Sequence, residues 1–120
     1  MKTLSTFALF LFALCATVST TFADTADFSG KWETVWDGGS QTTSLTIEQS
    51  GSKVSGKYTY QGGKISGVVR GSVLTGSWWQ KDGASGEYRF VLSADGRSFK
   101  GQWKNGKSKA WQGTWNGTLR

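Results

Sequence analysis

Aromatic rings are the side chains with the most chemistry to offer in this sequence, and they recur at a fixed spacing. A glycine is followed two places on by another residue, usually aromatic, in Gly30-x-Trp32, Gly56-x-Tyr58, Gly67-x-Val69, Gly76-x-Trp78, Gly86-x-Tyr88, Gly101-x-Trp103 and Gly113-x-Trp115. Rings gathered from such phrases offer π-faces that stack on a planar or sugar ring, with tyrosine O–H and indole N–H groups to orient it. Other chemistries have less to draw on. The chain has no histidine and one cysteine, Cys15, so imidazole bases, thiolate nucleophiles and the usual zinc ligands are scarce. Among its 8 acids, Asp37, Asp82 and Asp95 stand in turn sequences that account for their presence. No catalytic residue, metal site or cofactor is assigned, and the chain is expected not to be an enzyme. No phosphate-binding loop or basic stripe with regularly exposed aromatics occurs, so no nucleic-acid partner is expected either.

A spacing of two places both residues of each phrase on one face of a β-strand. An apolar residue usually precedes the glycine by two as well, as at Phe28, Val54, Ile65, Leu74, Phe99 and Trp111. Alternation between turn signals predicts eight strands, roughly 28–36, 42–49, 53–60, 64–70, 73–80, 86–93, 98–104 and 110–117. Short links such as Asp82-Gly83 and Asn105-Gly106 join antiparallel neighbours. The expected fold is all-β, an eight-stranded antiparallel up-and-down barrel; an open sheet or a two-sheet sandwich is the alternative. Glycine in mid-strand relieves crowding where coiled strands approach an axis.

The segment before these strands has a different composition. Met1-Lys2 is followed by a nearly unbroken apolar run from Leu4 to Val18, and Thr21-Phe22-Ala23 supplies small residues at a cleavage site. Residues 1–23 therefore read as a secretory signal peptide rather than a membrane span, with 24–120 as one domain, secreted or periplasmic. Leu14 before Cys15 is a poor fit to lipoprotein processing. With Lys2 set aside, 13 of the 14 Lys and Arg face 8 Asp and Glu, a net of +5. Arg97, Lys100, Lys104, Lys107, Lys109 and Arg120 follow Asp95 with no further acid. That bias favours an anionic partner, or simply solvates the outer strand faces.

Phe28-Ser-Gly30-Lys-Trp32 resembles the Gly-x-Trp opening of the calycin superfamily of lipocalins and avidins. Avidin-like phrases follow in avidin order: Gly39-Ser40, Val54-Ser-Gly56-Lys-Tyr58, Leu74-Thr-Gly76-Ser-Trp78 and Trp103-Lys-Asn105. The resemblance implies a calycin-type barrel whose first tryptophan closes the bottom near a basic residue of the last strand, here Arg120. It places Ser40 and Tyr58 at the family's ureido-binding positions. It departs from the family at Thr34, where avidins have asparagine, at Tyr60, where they have serine, and in Gly113-Thr-Trp115-Asn116, which lacks the aspartate. Phe99-x-Gly101-x-Trp103-x-Asn105-Gly106-Lys107 also resembles one MORN repeat. Thr59-Tyr60-Gln61-Gly62-Gly63 with Ile65-x-Gly67 is similar to a stretch of a cyanobacterial agglutinin-type lectin.

In a meander alternate turns share one end. The ligand-binding candidates near the first such end are Trp36, Ser40, Tyr58, Tyr60, Trp78, Tyr88, Trp103 and Trp111, expected to form an aromatic-lined mouth for a small molecule or glycan. Lys64, Lys81, Lys104, Lys107 and Lys109 outnumber Asp37 and Asp82 there, which suggests a polar or anionic ligand. An eight-stranded barrel is just wide enough either to pack solid or to hold one such molecule. Val68, Val73, Trp79 and Val91 fall on the outer face around Thr75. They are the candidate partner surface, for a homo-oligomer or for a lectin-like or inhibitor-like module.

Overall fold

A computed structural model describes residues 25–39 and 41–120. The expected cleavage site, the apolar run before it and Ser40 lie outside the described residues. Eight strands follow one another: β1 (Gly30–Trp36), β2 (Thr43–Ser50), β3 (Lys53–Tyr58), β4 (Gly63–Arg70), β5 (Val73–Trp79), β6 (Ser85–Leu92), β7 (Ser98–Asn105) and β8 (Gly113–Leu119). Each pairs with the next antiparallel neighbour, and β1 closes on β8 with Trp36 opposite Trp115. The fold is thus a closed up-and-down barrel, as the alternation predicts, and neither an open sheet nor a sandwich. Closure leaves no strand edge unpaired.

The repeated glycine has a more specific task than easing curvature. Six inward rings each lie opposite a glycine on the adjacent strand: Tyr58 at Gly63, Trp78 at Gly86, Tyr88 at Gly76, Phe90 at Gly101, Phe99 at Gly117 and Trp103 at Gly113. A Cβ at Gly63 would stand 2.0 Å from the Tyr58 ring, and one at Gly117 2.4 Å from Phe99. The missing side chain is the seat on which the neighbour's ring lies. Glycine and ring alternate around the cylinder, so large rings fit inside a narrow barrel.

The lower barrel is packed solid by Phe28, Trp32, Leu45, Ile47, Val54, Ile65, Val69, Leu74, Tyr88, Phe90 and Phe99, all buried. Phe90 and Phe99 stack at 4.1 Å, and Trp32 meets Phe99 edge-on at 5.0 Å. Phe28 precedes β1 rather than opening it, and plugs this end. Gln49 holds the crossing segment there, accepting from Phe28 N at 2.8 Å and donating Nε2 to Ala26 O at 2.8 Å. Arg120 does not meet Trp32: its guanidinium lies 3.4 Å from the Glu33 carboxylate, while the Trp32 indole donates to Phe28 O. Trp32 faces inward and Arg120 outward, and the plug supplies the indole's acceptor.

Two boundaries differ from expectation at the other end. β3 stops at Tyr58, because Tyr60–Gly62 form a 3-10 turn with Gln61 at φ 52°. β8 begins at Gly113, so Trp111 belongs to the preceding loop rather than to a strand. Gln112 ends the loop by donating its N–H to Trp103 O at 2.9 Å and accepting from Asn105 N at 2.6 Å.

Candidate ligand-binding cup

Above the packed floor the barrel opens into a cavity of about 700 Å³. Its walls carry Trp36 from β1, Tyr58 from β3, Tyr60 from the 3-10 turn, Trp78 from β5, Trp103 from β7 and Trp115 from β8. Loop and strand-end residues Asp37, Gln41, Thr42, Thr59, Gln80 and Asn105 add polar groups around them. These rings come from well-separated parts of the chain, and closure of β1 on β8 completes the circle.

The rings brace one another in two groups. Trp36 meets Tyr58 at 5.8 Å, Tyr60 at 5.3 Å and Trp115 at 5.6 Å, all edge-to-face. Across the barrel, Trp78 meets Trp103 at 6.2 Å and 84°. Edge-to-face pairing matches positive ring edges to negative faces and holds each ring at a fixed tilt.

Three of the six hydrogen-bond donors on these rings are engaged. Trp78 Nε1 donates to Glu87 O and Lys104 O, each at 3.2 Å. Trp103 Nε1 donates to Asp37 Oδ1 at 3.2 Å, and the Tyr58 hydroxyl donates to Gln80 Oε1 at 2.9 Å. Gln80 is buried and its amide is oriented in turn by Asp82, 3.3 Å from Nε2. Burial, then the negative charge of Asp82, raises the Tyr58 phenol above its ordinary range. Trp115 Nε1 is sealed from solvent with no hydrogen-bond partner among the described residues. Its ring stands edge-to-face with Trp36, Tyr58 and Phe90 at 5.6, 5.3 and 5.1 Å. The indole N–H groups of Trp78 and Trp103 thus serve the wall rather than a guest.

Asp37 ties the mouth together. Its backbone N–H donates to Thr114 O and its Oδ1 accepts from Thr114 N, joining the first loop to β8. It holds φ 54°, and Gln61 on the same rim holds φ 52°; they are the two non-glycine residues with positive φ among those described. Such conformations cost about 1–2 kcal/mol each and persist where surrounding contacts impose them.

The sequence candidates divide accordingly. Trp36, Tyr58, Tyr60, Trp78 and Trp103 come together around the cavity, although Tyr60 is half exposed at its lip. Tyr88 does not line it: the ring is buried beneath, with its hydroxyl donating to Ser66 O at 3.0 Å and its phenol raised by burial. Trp111 is also outside, exposed on its loop with Lys104 Nζ 5.2 Å from the ring centre. Trp115 is not among the sequence candidates, yet it lines the base of the cup. Gln80 was legible only as a strand end, since nothing in its neighbours signals a buried amide. None of Lys64, Lys81, Lys104, Lys107 and Lys109 lines the cavity; Lys81 lies along Gly62, and Lys104 pairs with Glu87 at 3.3 Å. Outside the barrel, Val73 pairs with Val91 and Val68 with Thr75, forming one small patch. Trp79 stands four residues along β5 from Thr75, between Lys64 and Ser85, and is separate from it.

Among the described residues no group of three His, Cys, Asp or Glu gathers as a metal site, and no helix is long and apolar enough to cross a membrane. Comparison with known proteins finds no matching family model, no matching curated protein and no matching solved structure.

Proposed function

We propose that this chain is an exported, non-enzymatic binding protein that holds one small polar or aromatic molecule in the cup. The observation that supports this most is the convergence of six aromatic side chains on one open cavity of about 700 Å³, a size within the usual range for small-molecule sites. The up-and-down barrel and the Gly30-Lys-Trp32 opening are compatible with a calycin-type protein, which we include in the proposal as a structural analogy. Export rests on the apolar run from Leu4 to Val18 and the small residues that follow it up to Ala23.

Acrylamide quenching of tryptophan fluorescence, before and after addition of a small-molecule and glycan library, tests the reading. A bound compound should protect the rings saturably, and Trp36→Ala or Trp103→Ala should abolish protection while Trp111→Ala leaves it intact. Ring accessibility unchanged by every compound would refute it. A second reading, in which an outer face binds a protein or a glycan, is favoured by Trp79, 47% exposed on a strand rather than in a loop. In that case Trp79→Ala would remove binding and leave the cup unaffected.

A further inference from the structure

We infer that the cup selects a small organic cation, an alkylated ammonium group in particular, over neutral and anionic molecules of the same shape. This deepens the proposed function and rests on the cup being a binding site at all. Four observations point the same way.

The first is the character of the wall. Six aromatic side chains line it, and a cation within about 6 Å of an aromatic face, whose quadrupole is negative, is attracted without needing a hydrogen bond. Second, of the six N–H and O–H groups on these rings, all but those of Trp36 and Tyr60 are engaged elsewhere or sealed. Trp78 and Trp103 direct their N–H groups to backbone carbonyls and to Asp37, the Tyr58 O–H goes to Gln80, and Trp115 Nε1 is closed off.

Third, the formal charge beside the cavity is negative. Asp37 is the charged residue in its lining, and among the described residues its Oδ2 receives no hydrogen bond. Asp82 stands behind Gln80 in a chain running carboxylate, amide, phenol. Because the Tyr58 hydroxyl donates to Gln80, the lone pairs of its oxygen are what remain to a guest. Fourth, the basic residues of this end are held off the cavity: Lys104 lies between Glu87 and Trp111, and Lys81 folds along Gly62. The chain's net charge of +6 therefore does not describe the cup. Its effect on a cation is a long-range one, screened beyond about 8 Å at physiological salt.

The test compares choline with 3,3-dimethylbutan-1-ol, which has the same shape with carbon in place of the charged nitrogen. Both are titrated into the purified protein and followed by tryptophan fluorescence, with a small-molecule and glycan library alongside. Choline should bind about tenfold more tightly than the alcohol, as several partly desolvated cation–π contacts imply. Asp37→Asn keeps Oδ1 for Trp103 and Thr114 while removing the charge. It should weaken choline about threefold to tenfold and weaken the alcohol by less. Trp36→Phe keeps an aromatic brace but a weaker π-face, and should also weaken choline selectively, with the melting temperature of each variant as the check on folding.

Equal or tighter binding of the alcohol, or equal losses for both ligands in Asp37→Asn, would overturn the inference and leave the cup as a site for neutral molecules. Binding of other library compounds without choline would do the same. If no compound alters ring accessibility, the inference fails together with the cup on which it rests.

Discussion

At the scale of single residues, glycine and ring form one unit shared between strands. Tyr58 lies in the seat left by Gly63, so Gly63→Ala should push the ring off its wall and destabilise the protein by about 2–3 kcal/mol, measured by urea unfolding. Gly106→Ala is the control: its nearest foreign atom would be 3.7 Å away, and the change should be neutral or stabilising by about 0.5 kcal/mol. The same burial makes the phenols reporters of the fold. Tyr58 and Tyr88 are both shifted upward, chiefly by desolvation. A folded-state pKa above the unfolded value of about 10 contributes stability that is fully present below pH 10 and is lost as pH rises towards the folded value. Alkaline titration followed at 295 nm should therefore show these two phenols ionising together with loss of near-UV circular dichroism. Independent ionisation in an intact fold would contradict their burial.

Among the elements, the loops at the two ends differ in what holds them. At the floor, Gln49 ties the segment before β1 to the β2–β3 turn, accepting from Phe28 N and donating to Ala26 O and Gly51 O. At the mouth, the β1–β2 loop is pinned by Asp37 to the start of β8 and to Trp103. Asp37→Ala removes that carboxylate and should cost about 1–3 kcal/mol, since two donors lose a charged acceptor. Asp37→Asn should cost less, because an amide oxygen stays in place. Thermal unfolding of the pair separates the hydrogen bonds from the charge. The β7–β8 loop carries Trp111 outward, so Trp111→Ala should shift stability by no more than about 0.5–1 kcal/mol, the scale of an exposed cation–π contact.

For the whole molecule, closure is the governing fact. β8 completes the sheet against both β7 and β1, and Trp115 lies at the junction of the floor and the cup. No hairpin in this barrel buries its rings alone, because Trp32, Phe90, Phe99 and Trp115 come from β1, β6, β7 and β8 and pack on one another, and the circle has no free edge. Unfolding should thus be a single cooperative transition seen alike by fluorescence and far-UV circular dichroism. Deleting residues 113–120 should abolish that transition rather than lower its midpoint, since two strands become edges and Trp115 is lost. Retention of a cooperative fold by the truncated chain would show that the seven-stranded remainder is stable without closure.

Alternation of glycine, apolar and polar residues determined the strands, their order and the inward faces of Trp32, Leu45, Val54, Tyr58, Ile65, Leu74, Trp78, Phe90 and Phe99. A period of two is a local property that neighbouring residues carry by themselves, and short turns leave an antiparallel meander as the simplest arrangement. The same pattern also brought Trp36, Tyr58, Tyr60, Trp78 and Trp103 to one end. It carried less about depth and direction. Tyr88 and Trp111 share the parity of the cup residues, yet one is buried beneath the cavity and the other lies on a loop, because depth depends on strand register and on where pairing stops. The buried amide of Gln80, the donation of the Trp78 and Trp103 indoles to the wall and the Asp37 latch between residues 37 and 114 arise only when distant strands meet. So does the charge of the cavity: a chain basic in sum has a cup without a lysine, because strand parity and loop packing turn its cations outward and leave a carboxylate at the mouth.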